Sequence, residues 1–323
     1  MSRSSSYNPG ARGEYADSPS DIPPRGWRQV LWRVKDEVSG DNISIVAAGV
    51  AFYSLLAVFP ALAAMVMVYG LFADPADVQR QLEPLKDVIP PDAFDILNGQ
   101  LSAVASKGSQ PLGFGLILTI GLSLWSATAG VKALFAAMNI AYEEKETRNF
   151  LKFNAVALLF TILGLTFVIV ALTVIAAVPA AADVLGVEGW ARAGLLLLRW
   201  VGLAAFVMLA LALLFRYGPS RATARFRWIT PGALVATVLW IVGSVAFSFY
   251  VQNFASYNKT FGSLGAVVVL LMWFYLTAFI VCLGAELNAE LEHQTARDST
   301  TGRERPLGDR GAFVADHAAG TEA

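Results

Sequence analysis

The chain has 323 residues, of which 56% are hydrophobic and 15% charged, with a mean hydropathy of +0.55 and a formal net charge of −1 at pH 7. Soluble domains carry about 25% charged residues, so this composition favours a protein embedded in lipid. The net charge excludes a general basic field that would recruit nucleic acid, and the single cysteine, Cys282, excludes a disulfide framework within the chain.

The first 26 residues are polar and unlike a secretory signal. They are rich in Ser, Pro, Gly, Arg and Asp and contain no apolar run, so we interpret residues 1–26 as a disordered cytoplasmic tail. From Trp27 to Val38, apolar residues recur at helical spacing with basic residues between them. This pattern predicts a short amphipathic helix that lies flat in the membrane interface.

Six long apolar runs dominate the rest of the chain. A membrane-spanning helix needs about 20 mainly apolar residues, and every run is longer than that. The sequence therefore predicts an all-α membrane protein, with a six-helix transmembrane domain over residues 27–292 and a polar, disordered tail over residues 293–323. The predicted spans are residues 43–72, 112–142, 150–182, 194–217, 229–254 and 264–291.

The connection between the first two spans is long enough to have structure of its own. Apolar residues recur at helical spacing on both sides of Pro90 and Pro91, and adjacent prolines interrupt a helix. We expect two short helices in this external loop, covering the outer mouth of the bundle.

Basic residues are distributed unevenly among the connections. The segment before the first span, the second and fourth connections and the C-terminal tail are rich in Lys and Arg, whereas the third connection has only Arg192 and the fifth only Lys259. Between the first two spans, three basic residues stand against six acidic ones. Because basic loops near membrane ends stay in the cytoplasm, both termini are expected there.

Three ionisable residues within the apolar runs are candidates for a substrate path or an ion pair. Lys132 lies in the second span, Glu286 occupies a comparable depth in the last span, and Arg199 lies near the outer end of the fourth. Charges at such depth are costly and are frequently functional, whereas long basic side chains can also extend to the headgroups. A contact between Lys132 and Glu286 would relieve both desolvation costs, either as a structural ion pair or as a transport gate.

Asn139 and Pro60 complete the candidate set. Asn139 follows Lys132 by seven residues, which places it on roughly the same helix face and adds a hydrogen-bonding group there. Pro60 interrupts the first span, where its missing N–H frees the carbonyl near Leu56. Such breaks form substrate sites in some transporters and simple packing kinks in other proteins.

The sequence contains no recognisable catalytic or metal-binding pattern. His293 and His317 are its only histidines, both in the predicted tail, and HExxH, GxSxG and P-loop motifs do not occur. We therefore expect a protein that is not an enzyme, with no catalytic residues, no metal and no cofactor.

Four blocks of the sequence occur in a recognisable order: Ala47 to Tyr53 with Phe59 and Pro60, Ala137 to Tyr142 with Arg148 to Phe150, Tyr257 to Gly265, and Gly284 to Ala289. With these blocks the chain resembles the YihY/BrkB family of bacterial inner-membrane proteins. The resemblance covers about Trp27 to Glu292 and implies six spans in the inner membrane. It implies no defined catalytic residues. Some members were formerly labelled ribonuclease BN, and others are linked to serum resistance or suspected of moving lipids or anions. The position usually occupied by tyrosine before the glycine near the last span is Phe261 here.

The leading functional hypothesis is a transporter or translocator of an anionic or lipid substrate. It rests on Lys132, Glu286 and the Pro60 break. A non-transporting envelope scaffold is the alternative, because intramembrane charges also hold partner helices, and a ribonuclease is the third. Membrane lipids are the expected partners and nucleic acid is not. The basic residues expected to meet anionic headgroups are Arg216, Arg221, Arg225 and Arg227.

Overall fold

A computed structural model describes residues 12–69, 114–253 and 263–319. These ranges are helical without a strand, and one isolated antiparallel bridge joins Ala224 to Thr300. A short 3-10 helix over Pro19–Asp21 comes first. The α-helices, in chain order, are α1 (Pro24–Gly40), α2 (Ile43–Tyr69), α3 (Phe114–Ala141), α4 (Phe150–Val184), α5 (Gly189–Tyr217), α6 (Phe226–Asn253), α7 (Ser263–His293) and α8 (Phe313–Asp316).

Six of the described helices, α2 to α7, are long and apolar enough to cross a membrane. The predicted all-α class with six spans is therefore confirmed. The largest difference in bounds is at α5, which begins at Gly189 rather than at residue 194. Its first turn contains Arg192, which forms an ion pair of 2.6 Å with Asp183 of α4. A charged residue in the first turn therefore hides this helix end from a search for apolar runs.

The centre of the bundle is formed by α2, α3 and α7. Helix α2 packs against both α3 and α7, and α7 also packs against α6. A Cβ atom at Gly130 of α3 would lie 3.3 Å from the Cα of Ser54, so the small residue allows α2 and α3 to approach closely. Helices α4 and α5 are the least buried of the six, which leaves most of their apolar side chains facing outward.

Helices α6 and α7 cross in backbone contact at two glycines. A Cβ atom at Gly232 would lie 2.1 Å from the carbonyl oxygen of Gly284, and one at Gly284 would lie 2.8 Å from the Cβ of Ala236. The N–H of Gly232 also donates to Oδ1 of Asn288 at 2.7 Å. Any larger residue at either glycine would force these two helices apart.

Helix α1 includes the predicted amphipathic segment. Val30 and Val34 are buried in a small cluster with Trp228, Leu287 and Leu291. On the outer face, the Nζ of Lys35 lies 4.8 Å from the centre of the Trp32 ring. The helix therefore has one face on the bundle and one aromatic, basic face directed away from it.

Both polar tails fold onto the bundle, which contradicts the prediction of disorder for residues 12–26 and 294–319. Thr295 donates to the carbonyl oxygen of Ala16 at 2.8 Å, so the two segments contact each other. Arg310 is 4% exposed and donates to backbone carbonyls of Ala296 at 2.6 Å and Ala315 at 2.6 Å. One buried guanidinium can thus organise a segment that has few apolar residues, a possibility that composition does not register.

Some predictions fall on residues outside the described ranges. These are the two short helices expected around Pro90 and Pro91, residues 257–262 of the block from Tyr257 to Gly265, and residues 1–11 and 320–323 of the tails.

Candidate functional site

The charged and polar residues of the bundle gather at one end. This end, called the tail end below, carries residues 142–149, 218–225 and 294–319 together with α1. Backbone bonds such as Arg225 N–H to Ser299 O at 2.9 Å join the loop after α5 to the C-terminal segment. The opposite end of the bundle is called the far end.

Asn139 connects two loops at the tail end. Its Oδ1 accepts from the N–H of Ser220 at 2.7 Å, and its Nδ2 donates to Oε2 of Glu146 at 3.1 Å. Arg148 forms a 2.6 Å ion pair with Glu146 and donates to the carbonyl oxygen of Gly218 at 2.8 Å. Hydrogen bonds from Arg148 are the main reason that the pKa of Glu146 falls to about 2. Asn139 is thus buried and fully engaged in holding the α3–α4 and α5–α6 loops together.

The last two turns of α7 carry four buried polar residues on two faces. Residues four apart share one helix face, so Glu286 and Glu290 face α1, whereas Asn288 and Glu292 face α6 and the loop after α5. Glu290 forms an ion pair with Arg33, 257 positions away in the chain. Each of these four side chains therefore faces an element other than α7.

Glu292 belongs to a buried ion pair with Arg221. The Nη2 of Arg221 lies 2.6 Å from Oε2 of Glu292, and the two side chains are 2% and 0% exposed. Ser299 also donates to Glu292 at 2.7 Å, and the Arg221 guanidinium lies 4.9 Å from the centre of the Tyr142 ring. Complete burial raises the pKa of the Tyr142 hydroxyl. This pair joins the loop after α5, the end of α7 and the C-terminal segment into one unit.

A basic cavity opens between the tail ends of α4 and α5. It encloses about 420 Å³ and is bordered by four cationic side chains. Arg148 and Arg221 are paired with Glu146 and Glu292. For the other two, Lys152 and Arg216, no carboxylate among the described residues lies within 4.0 Å. The cavity therefore carries unbalanced positive charge. The four cations are Arg148, Lys152, Arg216 and Arg221.

Of the four arginines predicted to meet anionic headgroups, Arg216 and Arg221 border this cavity. Arg216 also lies 4.1 Å from the centre of the Phe226 ring, and its Nε is buried with no hydrogen-bond partner in the described structure. Arg225 instead donates to the carbonyl oxygen of Thr300 at 2.9 Å. Arg227 is exposed at the same end, outside the cavity.

On the other side of the tail end, five carboxyl groups form a cluster between α1 and α7. Glu286 is 2% exposed, and its Oε1 has no hydrogen-bond partner among the described residues. Asp41, in the turn between α1 and α2, is one of the acidic groups that interact electrostatically with Glu286. The carboxyl cluster is defined as Glu37, Asp41, Glu143, Glu286 and Glu290.

The structure does not bring Lys132 and Glu286 together as an ion pair. The Nζ of Lys132 lies 4.6 Å from the centre of the ring of Trp125, which belongs to the same helix, α3. Among the described residues, no carboxylate lies within 4.0 Å of Lys132, and the charged groups that interact with Glu286 are acidic, Asp41, Glu290 and Glu37. The hypothesis of a Lys132–Glu286 contact is therefore wrong. Helix spacing indicated comparable depth but could not show in which direction the two helices face.

Arg199 and Pro60 lie away from the tail end. Nη1 of Arg199 donates to the carbonyl oxygen of Ile175 on α4 at 2.8 Å. Pro60 lies inside α2, as predicted. Pro179 inside α4 and Pro231 inside α6 are further helix-internal prolines that sequence reasoning overlooked.

A second cavity lies between the middle of α5 and the far half of α6. It encloses about 720 Å³ and is mainly apolar, with Trp200 and Trp240 in its wall. Ser244 and Gln252 add a few polar atoms. It is the kind of concave apolar surface that accommodates small amphipathic molecules.

Several site residues escaped the sequence analysis. In the last two turns of α7, Glu290 follows Glu286 by four positions, and Glu292 follows Asn288 by four positions. This spacing of polar residues could have identified Glu290 and Glu292 from the sequence. In the sequence, Lys152 stands out only as one of the basic residues next to the second connection. Asp41 and Arg33 gave no local signal, because their partners are distant in the chain.

In the part of the chain that the structure describes, no group of three or more His, Cys, Asp or Glu side chains is arranged to hold a metal ion.

Six apolar spans with a polar, charged network at one end define a multi-pass helical membrane protein. Residues 34–307 match the family described as virulence factor BrkB. The chain belongs to this BrkB family.

The similar proteins include several named as membrane proteins and one with an enzyme-like name. The chain is 29% identical over 255 residues to the putative ribonuclease-like protein YfkH of Bacillus subtilis, covering 76% of this chain and 88% of that protein. It is 26% identical over 283 residues to a UPF0761 membrane protein of Pseudoalteromonas translucida, covering 85% and 89%. A UPF0761 membrane protein of Psychromonas ingrahamii is 26% identical over 267 residues, covering 81% and 86%. No solved structure matches the chain.

Proposed function

We propose that the protein is a translocator of an anionic substrate, most simply a lipid with an anionic headgroup, and that it is not an enzyme. The observation that carries this proposal is the basic cavity between α4 and α5. Lys152 and Arg216 lack a carboxylate partner there in the described structure, so the cavity has positive charge available for a phosphate or carboxylate. Basic pockets between membrane helices bind lipid headgroups in this way.

The position of the cavity favours a membrane-borne substrate over a purely aqueous one. Lys152 and Val156 belong to α4 and Arg216 to α5, the two spans with the smallest buried share. Their outer faces are apolar, with Leu163 and Leu209 47% and 51% exposed. A headgroup held between these helix ends would leave its acyl chains against apolar surface, where they gain hydrophobic contact.

The middle of α5 offers a complementary surface. The apolar cavity between α5 and α6 is roomy enough for part of an acyl chain, and Ser244 and Gln252 could contact a polar group at its rim. A basic site at the tail end of α5 and an amphipathic groove that runs from its middle along the far half of α6 would serve two successive parts of a translocation path.

We also propose an orientation, with the tail end in the cytoplasm of a bacterial cell and the spans in its inner membrane. The Lys and Arg residues concentrate at the tail end, and basic connections stay cytoplasmic. With this orientation α1 lies in the inner membrane interface, where Leu31 and Trp32, 56% and 52% exposed, would enter the headgroup layer. Reporter fusions after Arg148 and Arg225 should stay cytoplasmic, while fusions near Lys86 and Lys259 should be exported; the reverse pattern would contradict the orientation.

The name of the B. subtilis relative raises ribonuclease activity as a competing function. We propose that any RNA cleavage in a preparation of this protein separates from it on further purification. Cleavage that remains with the chain through every step and is lost in a well-folded point variant would overturn the non-enzymatic proposal.

The direct experiment is flux through liposomes that contain the purified protein. Labelled phosphatidylglycerol and a small inorganic anion are the two probes, since either could supply the anionic group. The Lys152→Gln, Arg216→Gln double variant should lose most of the flux of whichever probe is moved. Arg227→Gln is the matched control, because it removes one cation from the same end but outside the cavity. Well-folded protein that moves neither probe would refute translocation of these substrates and favour the scaffold.

A further inference from the structure

The charge balance of the basic cavity between α4 and α5 restricts the anion that fits there. Four cationic side chains border the cavity. Two of them are neutralised by carboxylates at 2.6 Å, since Arg148 is paired with Glu146 and Arg221 with Glu292. The other two have no carboxylate within 4.0 Å in the described structure. The cavity therefore keeps two uncompensated positive charges, which a singly charged anion cannot balance.

The two uncompensated cations, Lys152 and Arg216, come from neighbouring helix ends and differ in character. Lys152 is an exposed point charge in the first turn of α4. The guanidinium of Arg216 lies 4.1 Å from the centre of the Phe226 ring and 5.4 Å from that of Tyr217. Its Nε is buried with no hydrogen-bond partner in the described structure. Ring contacts restrain the planar fork of an arginine, and this fork matches the oxygens of a phosphate group.

Hydroxyl groups add further donors to the cavity wall. Thr147 and Ser220 border the cavity, and their hydroxyl oxygens lie 2.9 Å apart. One hydroxyl hydrogen is used in that contact, whichever residue donates, so the other is left for a ligand. Of the described residues that border the cavity, none is acidic. A wall of donors suits a ligand with several acceptor oxygens and no hydrogen of its own to donate.

We propose that the basic cavity binds a phosphate dianion, such as the headgroup of a lipid monophosphate, in preference to the singly charged phosphodiester of phosphatidylglycerol. A phosphomonoester carries close to two negative charges at neutral pH and has three acceptor oxygens. These charges would balance Lys152 and Arg216, and the oxygens would accept from the Arg216 fork and the free hydroxyl. As a statement about the transported substrate, this inference rests on the proposed function; the binding preference does not depend on transport.

The ligand, and not the cavity, should set how this preference changes with pH. A phosphomonoester has its second pKa at about 6, so acidification removes one of its charges. Hydrogen bonds from the neighbouring arginine are the main reason that the pKa of Glu146 falls to about 2, so this carboxylate stays ionised while the phosphate titrates. Glu292 is fully buried in its own ion pair. Tyr217 is the remaining titratable side chain among the described residues of the wall.

One further carboxyl group acts on the cavity from outside its wall. Glu144 interacts electrostatically with Arg221 and accepts from the N–H of Phe313 at 2.7 Å. Burial raises the pKa of Glu144, so acidification would remove a negative charge near the cavity and strengthen the binding of any anion. This effect has the same sign for both headgroups and is opposite to the loss of the phosphate charge. A preference that falls on acidification therefore cannot come from Glu144.

The test is lipid titration of the full chain in nanodiscs, with phosphatidic acid as the lipid monophosphate and phosphatidylglycerol with the same acyl chains as the monoanion. At about pH 8 phosphatidic acid should bind about fivefold more tightly, because its second charge is matched by a second basic residue. At about pH 5 most of this preference should be lost, since the phosphate is then mainly a monoanion. Equal affinities at the higher pH, or a preference that persists undiminished at the lower pH, would overturn the dianion site.

Lys152→Gln is the most informative variant, because Lys152 is exposed and its replacement should leave folding intact. With one uncompensated cation left, this variant should bind the two lipids about equally at the higher pH. Arg216→Gln should lose the preference as well, wherever it folds. Arg227→Gln, outside the cavity, is the matched control and should keep the preference. A preference that survives Lys152→Gln unchanged would overturn the assignment to this cavity.

Cardiolipin and inorganic phosphate distinguish the possible sources of two negative charges. Cardiolipin carries two phosphodiesters that do not titrate in this range, so tighter binding of cardiolipin than of phosphatidic acid at both pH values would overturn a single dianion. Inorganic phosphate has the dianion without acyl chains. Displacement of phosphatidic acid by an equal concentration of inorganic phosphate would support the dianion site and assign it to free phosphate. Resistance to displacement would support the site and assign it to a lipid monophosphate.

The dianion site and the proposed function can fail separately. Preferential binding of phosphatidic acid by a well-folded protein that moves no lipid or anion in liposomes would keep the site and refute the translocator. Flux of phosphatidylglycerol that depends on the cavity cations, without a preference for phosphatidic acid, would keep the translocator and refute the dianion site.

Discussion

The guanidinium of Arg199 hydrogen-bonds the carbonyl oxygen of Ile175, 2.8 Å away on the neighbouring helix. In an α-helix this carbonyl would accept from the N–H four residues later, but that residue is Pro179, which has no N–H. A polar atom left unpaired within lipid costs free energy. Arg199 therefore supplies the donor that the proline removes, and its predicted role as a substrate-path residue gives way to a structural one.

The hydrogen bond from Arg199 to the Ile175 carbonyl should contribute more to the free energy of unfolding when Pro179 is present than when it is replaced. We expect Arg199→Gln to lower stability by about 1–2 kcal/mol. In a Pro179→Ala background, where α4 can satisfy its own carbonyl, the same change should cost less than half as much. Thermal unfolding in detergent measures both. The control is Arg192→Gln, which removes an exposed ion pair and should cost little. Equal losses in both backgrounds would contradict this role of Arg199.

The crossing of α6 and α7 depends on glycine. Gly232→Ala and Gly284→Ala should each destabilise the protein by about 1–3 kcal/mol, because the new methyl group would overlap backbone or side-chain atoms. On α5, Gly202→Ala meets nothing within 4 Å and should be neutral or stabilising by up to about 1 kcal/mol, since alanine favours the helix. The measurement is the unfolding midpoint of each of the three variants and of the wild type, taken under one condition. Similar effects at all three glycines would show that the crossing is loose.

The buried pair Arg221–Glu292 should show strong coupling. Arg221→Gln or Glu292→Gln alone leaves the other charge buried and unpaired, at a cost of about 3–5 kcal/mol. The double variant should be more stable than the sum of the single losses by well over 1 kcal/mol. Lys132→Gln with Glu286→Gln provides the contrast, because those residues do not form a pair in the structure. Their losses should add within about 0.5 kcal/mol, and a large coupling there would restore the Lys132–Glu286 contact.

Asp41 should make stability depend on pH in a defined direction. Its pKa is raised in the folded protein, so the stability that it contributes is present at low pH. That stability is lost as pH rises from the ordinary value of about 3.9 through the raised one. Asp41→Asn should therefore unfold at a higher temperature than the wild type near neutral pH, and the gap should narrow towards about pH 4.

The matched control for Asp41→Asn is Asp36→Asn, which removes a carboxyl group from the exposed side of α1. Unfolding midpoints across the pH series, in one detergent, give the comparison. A gap for Asp41→Asn that stays constant or widens on acidification would contradict the raised pKa.

The affinity for anionic lipid should depend on the cationic side chains that border the basic cavity. Each basic residue near an anionic surface contributes about 1 kcal/mol, which corresponds to about fivefold in affinity. The Lys152→Gln, Arg216→Gln double variant should thus bind phosphatidylglycerol about 25-fold more weakly, measured by native mass spectrometry or by lipid titration in nanodiscs. Arg227→Gln, outside the cavity, should change the specific binding by much less. An equal loss in the control would point to general surface charge and not to the cavity.

The sequence by itself determined the parts of this protein that depend on local composition. Each span can be recognised in the sequence, because crossing lipid requires about 20 apolar residues in one stretch. The amphipathic pattern from Trp27 to Val38 likewise predicted a helix that α1 contains. Family membership also followed from ordered blocks of local sequence, and residues 34–307 match it.

The tertiary structure alone decided which charges meet. Arg33 and Glu290 are 257 positions apart, and Arg221 and Glu292 are 71 positions apart. Lys132 lies against Trp125 of its own helix and forms no ion pair with Glu286 in the described structure. Depth in the membrane can be read from position in an apolar run, but rotation of a helix about its axis is set by packing against its neighbours. Since a charged side chain finds its partner through that rotation, the basic cavity and the carboxyl cluster could not be located before the helices were packed.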